Sequence, residues 1–365
     1  MNDRGGRLLN RYFLYLVLLN MFVNVIIFVP KILIEYRYEG AVMGVVIAVP
    51  IGMALTYLYS TAMNQFPEQG LPEIVEQGKH RKLTILFFGT IQFMWFTAGL
   101  ITLIGFIDIL SRFVNPEMPK LGLLGIYLAG IFLIIQLPTQ RIMYFLEIVL
   151  LINIPLISLI IFKAFINEYL SWDSILEVGT HIFTRPSLKA VAAATYCFSG
   201  YMNLIIFNRL IRGKLKIWNF TAILFLGLFN LFTTFLIPIG FHGSDGAQEY
   251  LYPWISTSDS LRLVYSPIER AIFLFLMFYM SITLVSVSVH WHVAYELIKG
   301  MFKGKISKKK NGLILGYFTV LAVLGVIYFN SLLLNRLTVY WMIFRLGVEI
   351  VIVAGFVLWA RRRTT

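Results

Sequence analysis

Residues 22–30 read FVNVIIFVP, and residues 201–209 read YMNLIIFNR. Each holds an Asn, one aliphatic residue and then Ile-Ile-Phe, and the two lie 179 positions apart in a chain of 365. An echo this short is weak in a sequence rich in Ile, Phe and Leu. It gains weight if the chain is one unit written twice, and whether it is decides the fold. The surrounding sequence sets the terms. Hydrophobic residues make up 59% of the chain and charged residues 13%, about half the charged fraction of a soluble domain. Apolar runs near the roughly 20 residues a bilayer-crossing helix needs recur along the chain. An integral membrane protein follows, all-α and organised as a single transmembrane domain over residues 1–365.

Ten apolar spans are expected, at 12–29, 41–58, 83–110, 121–137, 142–165, 190–207, 217–241, 268–297, 312–329 and 337–359. The polar and basic residues 1–10 run straight into the first span, which reads as an uncleaved helix. The formal net charge is +13, a value that in a soluble protein would point to nucleic acid. Here its placement explains it. With the N-terminus in the cytoplasm, inside segments carry 20 Lys and Arg and outside segments 10. That bias marks the cytoplasmic side and places both termini there, with no nucleic-acid role. The inside loop from Lys299 to Lys310 is also suited to anionic lipid.

Two long connections stand out, 61–82 inside and 242–267 outside. Each follows the second span of its half, on opposite sides of the membrane. Gly70-Leu71-Pro72-Glu73 reads as a helix start with Pro in the first turn, and Ser256–Asp259 as the start of a short surface helix. Span 6 runs opposite to span 1. These features together predict a five-plus-five inverted repeat, with repeat 1 about 8–167 and repeat 2 about 188–361.

In inverted-repeat transporters, broken helices near the midplane bind solute through freed backbone groups. Spans 1 and 6 carry the matching polar and small residues. Asn20, Met21, Val23 and Asn24 lie in span 1, and Phe198, Ser199, Gly200, Tyr201 and Asn203 in span 6. These are the candidate substrate-binding residues, together with Trp95 in span 3, where Gln92 and Thr97 are further pocket candidates. Helix packing by the same small and polar residues is the alternative. Arg345 and Glu349 are one helical turn apart within span 10. A charge at the centre of a membrane helix costs about 2.5–3.5 kcal/mol, so the two are an ion or gate candidate or a structural pair. Ser286 in span 8, near Ser281, Thr283 and Ser288, is a second ion candidate, since hydroxyls at this place in an inverted-repeat transporter fold can face a sodium site; helix packing is the alternative reading. Asp108 and Glu147 lie near span ends, where interfacial water is expected to solvate them.

His290 and His292 are about 200° apart around a helix, so no shared metal site is expected, and the single Cys197 excludes an intramolecular disulfide or a cysteine cluster. No nucleophile–base pair or phosphate loop is present. The chain is therefore read as a non-enzyme with no catalytic residues, no metal and no cofactor.

The arrangement resembles the amino acid–polyamine–organocation transporter superfamily. More narrowly, it resembles the permease-like B subunits of bacterial spore germination receptors. The residues that carry the resemblance are NVIIFVPKILIEYRYEGAVMG (24–44), FPEQGLPEIVEQ (66–77), Phe198-Ser199-Gly200-Tyr201, and YPWISTSDSLRLVYSPIERAIFLFL (252–276). The resemblance implies a LeuT-like fold with broken helices 1 and 6 and a solute site between helices 1, 3, 6 and 8. It also implies a germinant-sensing role in the spore inner membrane, a bacterial cytoplasmic membrane, alongside A and C partner subunits and a small-molecule nutrient. One departure is visible: Asn20-Met21-Phe22-Val23-Asn24 contains no glycine where that superfamily has a glycine-rich break. A secondary amino acid transporter and a non-binding structural subunit remain the alternatives.

Overall fold

The computed structural model describes residues 3–24, 27–76, 81–213, 215–262, 269–302 and 307–364. Val25 and Ile26 of the short echo, Gln77 and Lys79 of the inside connection, Lys214, residues 263–268 of the exterior stretch, and Lys303 and Lys305 lie outside them. Among the described residues the chain is helical, apart from one isolated antiparallel bridge between Arg262 and Arg270. The first half holds α1 (Asp3–Asn24), α2 (Val29–Glu35), α3 (Val42–Met63), α4 (Leu71–Glu76), α5 (Arg81–Phe113), α6 (Lys120–Ile135) and α7 (Thr139–Phe165). After a short connecting helix, α8 (Trp172–Gly179), come α9 (Leu188–Tyr196), α10 (Leu204–Phe207), α11 (Ile217–His242), α12 (Pro253–Ser260), α13 (Ala271–Gly300), α14 (Lys308–Tyr328) and α15 (Ser331–Thr364).

Among the described residues, seven helices are long and apolar enough to cross a membrane: α3, α5, α7, α11, α13, α14 and α15. They coincide with expected spans 2, 3, 5, 7, 8, 9 and 10. Spans 1 and 6 fall on bent pairs. The axis turns by 54° between α1 and α2, and by 57° between α9 and the segment Ser199–Leu210. Span 4 falls on α6, a shorter apolar helix of 16 residues.

Local chemistry explains the boundaries. Pro30 stands in the first turn of α2, where its missing N–H costs nothing. Gly40 turns the chain from α2 into α3 at φ +88°, and a Cβ there would lie 2.0 Å from the Arg185 carbonyl oxygen. Only glycine meets both demands. At the start of α4, the Gly70 N–H donates to Glu73 Oε2 at 2.8 Å, the back-reaching half of a capping box. The short helix expected to start at Ser256 begins at Pro253. Proline suits the first helical position, and Trp254 and Ile255 are buried against the bundle.

α5 and α13 pack along much of their length. Gly99 opens the seam for the Trp291 ring, which stacks on Phe96 with centroids 5.0 Å apart. The alanine-rich α9 nests against α3 and α15.

Polar clusters tie the two ends. Arg209, just past α10, pairs with Glu73 of the 61–82 connection and Glu296 of α13, both at 2.6 Å. Asn208 Nδ2 donates to the Phe66 and Gln69 carbonyls. At the opposite end Arg37, 4% exposed, donates to Asp245 at 2.7 Å and Gln248 at 2.9 Å. The structure corrects the reading of Asp108. It is 5% exposed and accepts from Arg112 and Lys120 at 2.7 Å, Tyr252 at 2.8 Å and Ser331 at 2.9 Å. Donors from α5, α6, α15 and the 242–267 connection converge there and replace water. Burial and the Asp108 charge push the Tyr252 phenol above its ordinary pKa, which keeps it a donor. Glu147 pairs with Arg11 at 2.7 Å.

Candidate solute site

Helix α9 ends at Tyr196, and the chain continues as a 3₁₀ turn over Ser199–Asn203 before α10. The turn leaves α9 with a true C-terminus inside the bundle. Carbonyls of such an end carry partial negative charge and need donors. The chain supplies them from two other helices. Asn20 of α1 donates its Nδ2 to the Tyr196 carbonyl at 2.5 Å. Arg345 of α15 donates Nη2 to the Ala192 carbonyl at 2.6 Å and to Thr195 Oγ1 at 3.0 Å. Its Nη1 reaches Ser199 Oγ at 2.5 Å and the Glu349 carboxylate. The guanidinium carbon lies 5.1 Å from the Tyr196 ring centroid. Arg345 is 6% exposed and Glu349 3%, so this is a buried, charge-neutral pair at a helix end.

A small cavity of about 50 Å³ opens beside the pair. Asn20, Trp95, Ser199, Asn203, Arg345 and Glu349 line it, with Tyr196, His290 and Trp341. Trp95 Nε1 donates to Asn203 Oδ1 at 2.8 Å. His290 Nδ1 lies 2.7 Å from the Ser286 carbonyl, which places the proton on Nδ1 and leaves Nε2 an acceptor.

The other sequence candidates lie around this cavity. Asn24 and Val23 wall a smaller void of about 20 Å³ with Tyr196 and Trp341. The Met21 carbonyl accepts from Asn230 Nδ2 at 3.2 Å, and its side chain lines an apolar groove between α1, α7 and α11. The Phe198 ring sits over Gly52 and Gly227, which have no Cβ to meet it. Gly200 permits close approach of α1: a Cβ there would lie 2.4 Å from the Leu16 carbonyl oxygen. Tyr201 packs on Tyr59, with ring centroids 5.8 Å apart. Ser286 holds His290, and Ser281 accepts from Asn153 at 2.9 Å. His292 points elsewhere, to Thr139 and the Ile135 carbonyl. Among the described residues no group of three or more His, Cys, Asp or Glu is placed to hold a metal ion.

Tyr196, His290 and Trp341 were not anticipated. Trp341 had a readable signal: 341, 345, 348–349 and 352 recur at helical spacing, and all of these positions face the cavity.

Comparison with known families is decisive. The spore germination protein family profile matches residues 8–336. The chain belongs to the spore germination protein family. Comparison with curated proteins found no match. Family membership and the apolar helices make this a permease-like, multi-pass membrane protein of spore germination.

Proposed function

We propose that this germination protein is the nutrient-sensing, permease-like subunit of a spore germination receptor. A small germinant binds between α1, α5, the bend after α9, and α13, with α15 closing the side. One observation carries the site: polar side chains from four separate helices converge on a cavity where α9 ends. In this reading the protein crosses the membrane ten times, with α6 as the fourth span and each bent pair as one span. The two halves form a five-plus-five inverted repeat of LeuT-like type. Support comes from the ion pairs at the two ends. The connection after the second span of each half binds at or just past the end of the bent span of the other half, Glu73 to Arg209 and Asp245 to Arg37. The charge bias supports cytoplasmic termini. The spore inner membrane is the setting, and A and C subunits are the partners that read the state.

Binding acts by shifting an equilibrium between two arrangements, which requires different affinities for the two. The cavity holds only a few waters, whereas small-molecule pockets occupy roughly 300–1,000 Å³. The ligand-bound arrangement is therefore more open than this one. The same small volume favours a second reading, a structural subunit with a closed site.

Thermal stability of the purified protein in nanodiscs, measured against L-amino acids, small carboxylates, sugars and nucleosides, separates the two. A solute at 100 times its Kd adds about 2.7 kcal/mol. A saturable shift that is lost in Trp95→Ala supports the sensing site. No shift, alone or with co-expressed partner subunits, supports the structural role. Accumulation of the solute in proteoliposomes would instead identify a transporter.

A further inference from the structure

The acceptors at the end of α9 are already in use. Ala192 O, Thr195 Oγ1 and Ser199 Oγ receive Arg345, and Tyr196 O receives Asn20. A cation arriving at these four acceptors meets a resident guanidinium and committed groups. The guanidinium, by contrast, already holds a carboxylate, and holds it incompletely. Glu349 engages Arg345 through Oε2 alone. Arg345 Nε, Glu349 Oε1 and the neighbouring Tyr201 hydroxyl are all buried without a hydrogen-bond partner. The chain's own carboxylate thus occupies the one cationic position in the cavity wall, with unused donors and acceptors on both sides.

We propose that the site takes a small monocarboxylate, which binds Arg345 in exchange for Glu349. This rests on the solute-site reading above. The exchange has a charge consequence. A displaced Glu349 carboxylate would be a buried, unpaired anion, which proteins avoid by protonation. Binding therefore takes up one proton from solvent: ligand carboxylate plus proton enter, Arg345 keeps one carboxylate partner, and neutral Glu349 donates to the Tyr201 hydroxyl. The site remains neutral before and after. Other titratable groups around Glu349 are Tyr196 and Tyr201 at the bend, Tyr59 of α3 and His290 of α13. The α5 wall presents Met94, Trp95 and Ala98, none of which titrates.

The test uses the full-length protein in nanodiscs, with propionate, L-alanine and glucose as probes, in sodium and potassium buffers between pH 5.5 and 7.5. Propionate is expected to bind saturably and equally in both cations, with an apparent Kd that rises about tenfold per pH unit. Glu349→Gln should still bind propionate but lose the pH dependence, which separates uptake by Glu349 from binding of free propionic acid. Arg345→Lys should weaken propionate at least tenfold. If glucose binds and neither propionate nor L-alanine does, the carboxylate assignment is wrong while the solute site stands. Propionate binding with no pH slope in the unmodified protein overturns the exchange. If none of the probes binds, this inference falls, while the solute-site reading is decided by the wider panel and the co-expressed complex.

Discussion

The two bent spans turn through nearly the same angle, 54° and 57°, but different chemistry holds them. At the first, the neighbouring groups are neutral amides. Asn230 of α11 donates to the Met21 carbonyl, and Asn24 Nδ2 is buried without a partner. At the second, a guanidinium from α15 caps the end of α9 and brings its own counter-ion. The contrast shows how a helix end inside a bundle is made tolerable. At the second bend the guanidinium donates to one backbone carbonyl, Ala192, and to the Thr195 and Ser199 hydroxyls, so a cation with several donors gathers acceptors that a single amide could not. Glu349 then keeps that cation from being an unpaired buried charge.

Substitutions can break or sharpen this contrast. The largest effect is expected at Arg345. Arg345→Met should destabilise the protein by about 3–5 kcal/mol, seen as a large drop in thermal unfolding temperature. The double change R345M/E349M should lose less than R345M alone, because no charge is left stranded. If the double variant is the worse one, the pair is not the fixture described here. Next comes Gly200→Ala, whose added methyl meets the Leu16 and Val17 backbone. Overpacking of this kind costs about 1–3 kcal/mol, and denaturant unfolding should report it. Asn20→Ala orphans the Tyr196 carbonyl and should cost about 1–2 kcal/mol, with faster amide exchange in α9. The smallest effect belongs to Asn24→Ala. Because the Asn24 amide donor is already unpaired, its loss should cost less than that of Asn20, whose donor is in use. A large loss there would erase the difference between the two bends.

Polarity inside an apolar span was the most legible signal in the sequence. Asn20, Asn203, Arg345 and Glu349 could be picked out because each is costly unless partnered, and all four line one cavity. Aromatic residues gave no such contrast. Tyr196 and Trp341 line the site and Phe198 fills a slot between two glycines, yet in a lipid-facing sequence all three look alike. The role of Phe198 depends on Gly52 and Gly227 from two other helices, information that no local window contains. Asp108 was misread for a related reason. Its partners Lys120, Tyr252 and Ser331 belong to three other elements, and proximity to a span end said nothing of their convergence. Span positions, by contrast, depend only on local hydropathy, and seven of them coincide with single long helices.

The crossed clasps at the two ends also bear on how the chain is made. Arg37 is buried early in the sequence, but its partners Asp245 and Gln248 are synthesised some two hundred residues later. Until they emerge, the Arg37 guanidinium has the Ile34 carbonyl and the Tyr38 ring beside it but not its carboxylate partner. Glu73 waits likewise for Arg209. The first half is therefore an unfinished object when it enters the bilayer, and its settling is postponed until the second half threads in beside it. Separately expressed halves should reach their mature form only by finding each other, and a ribosome stalled midway would leave a membrane insert that quality control can recognise.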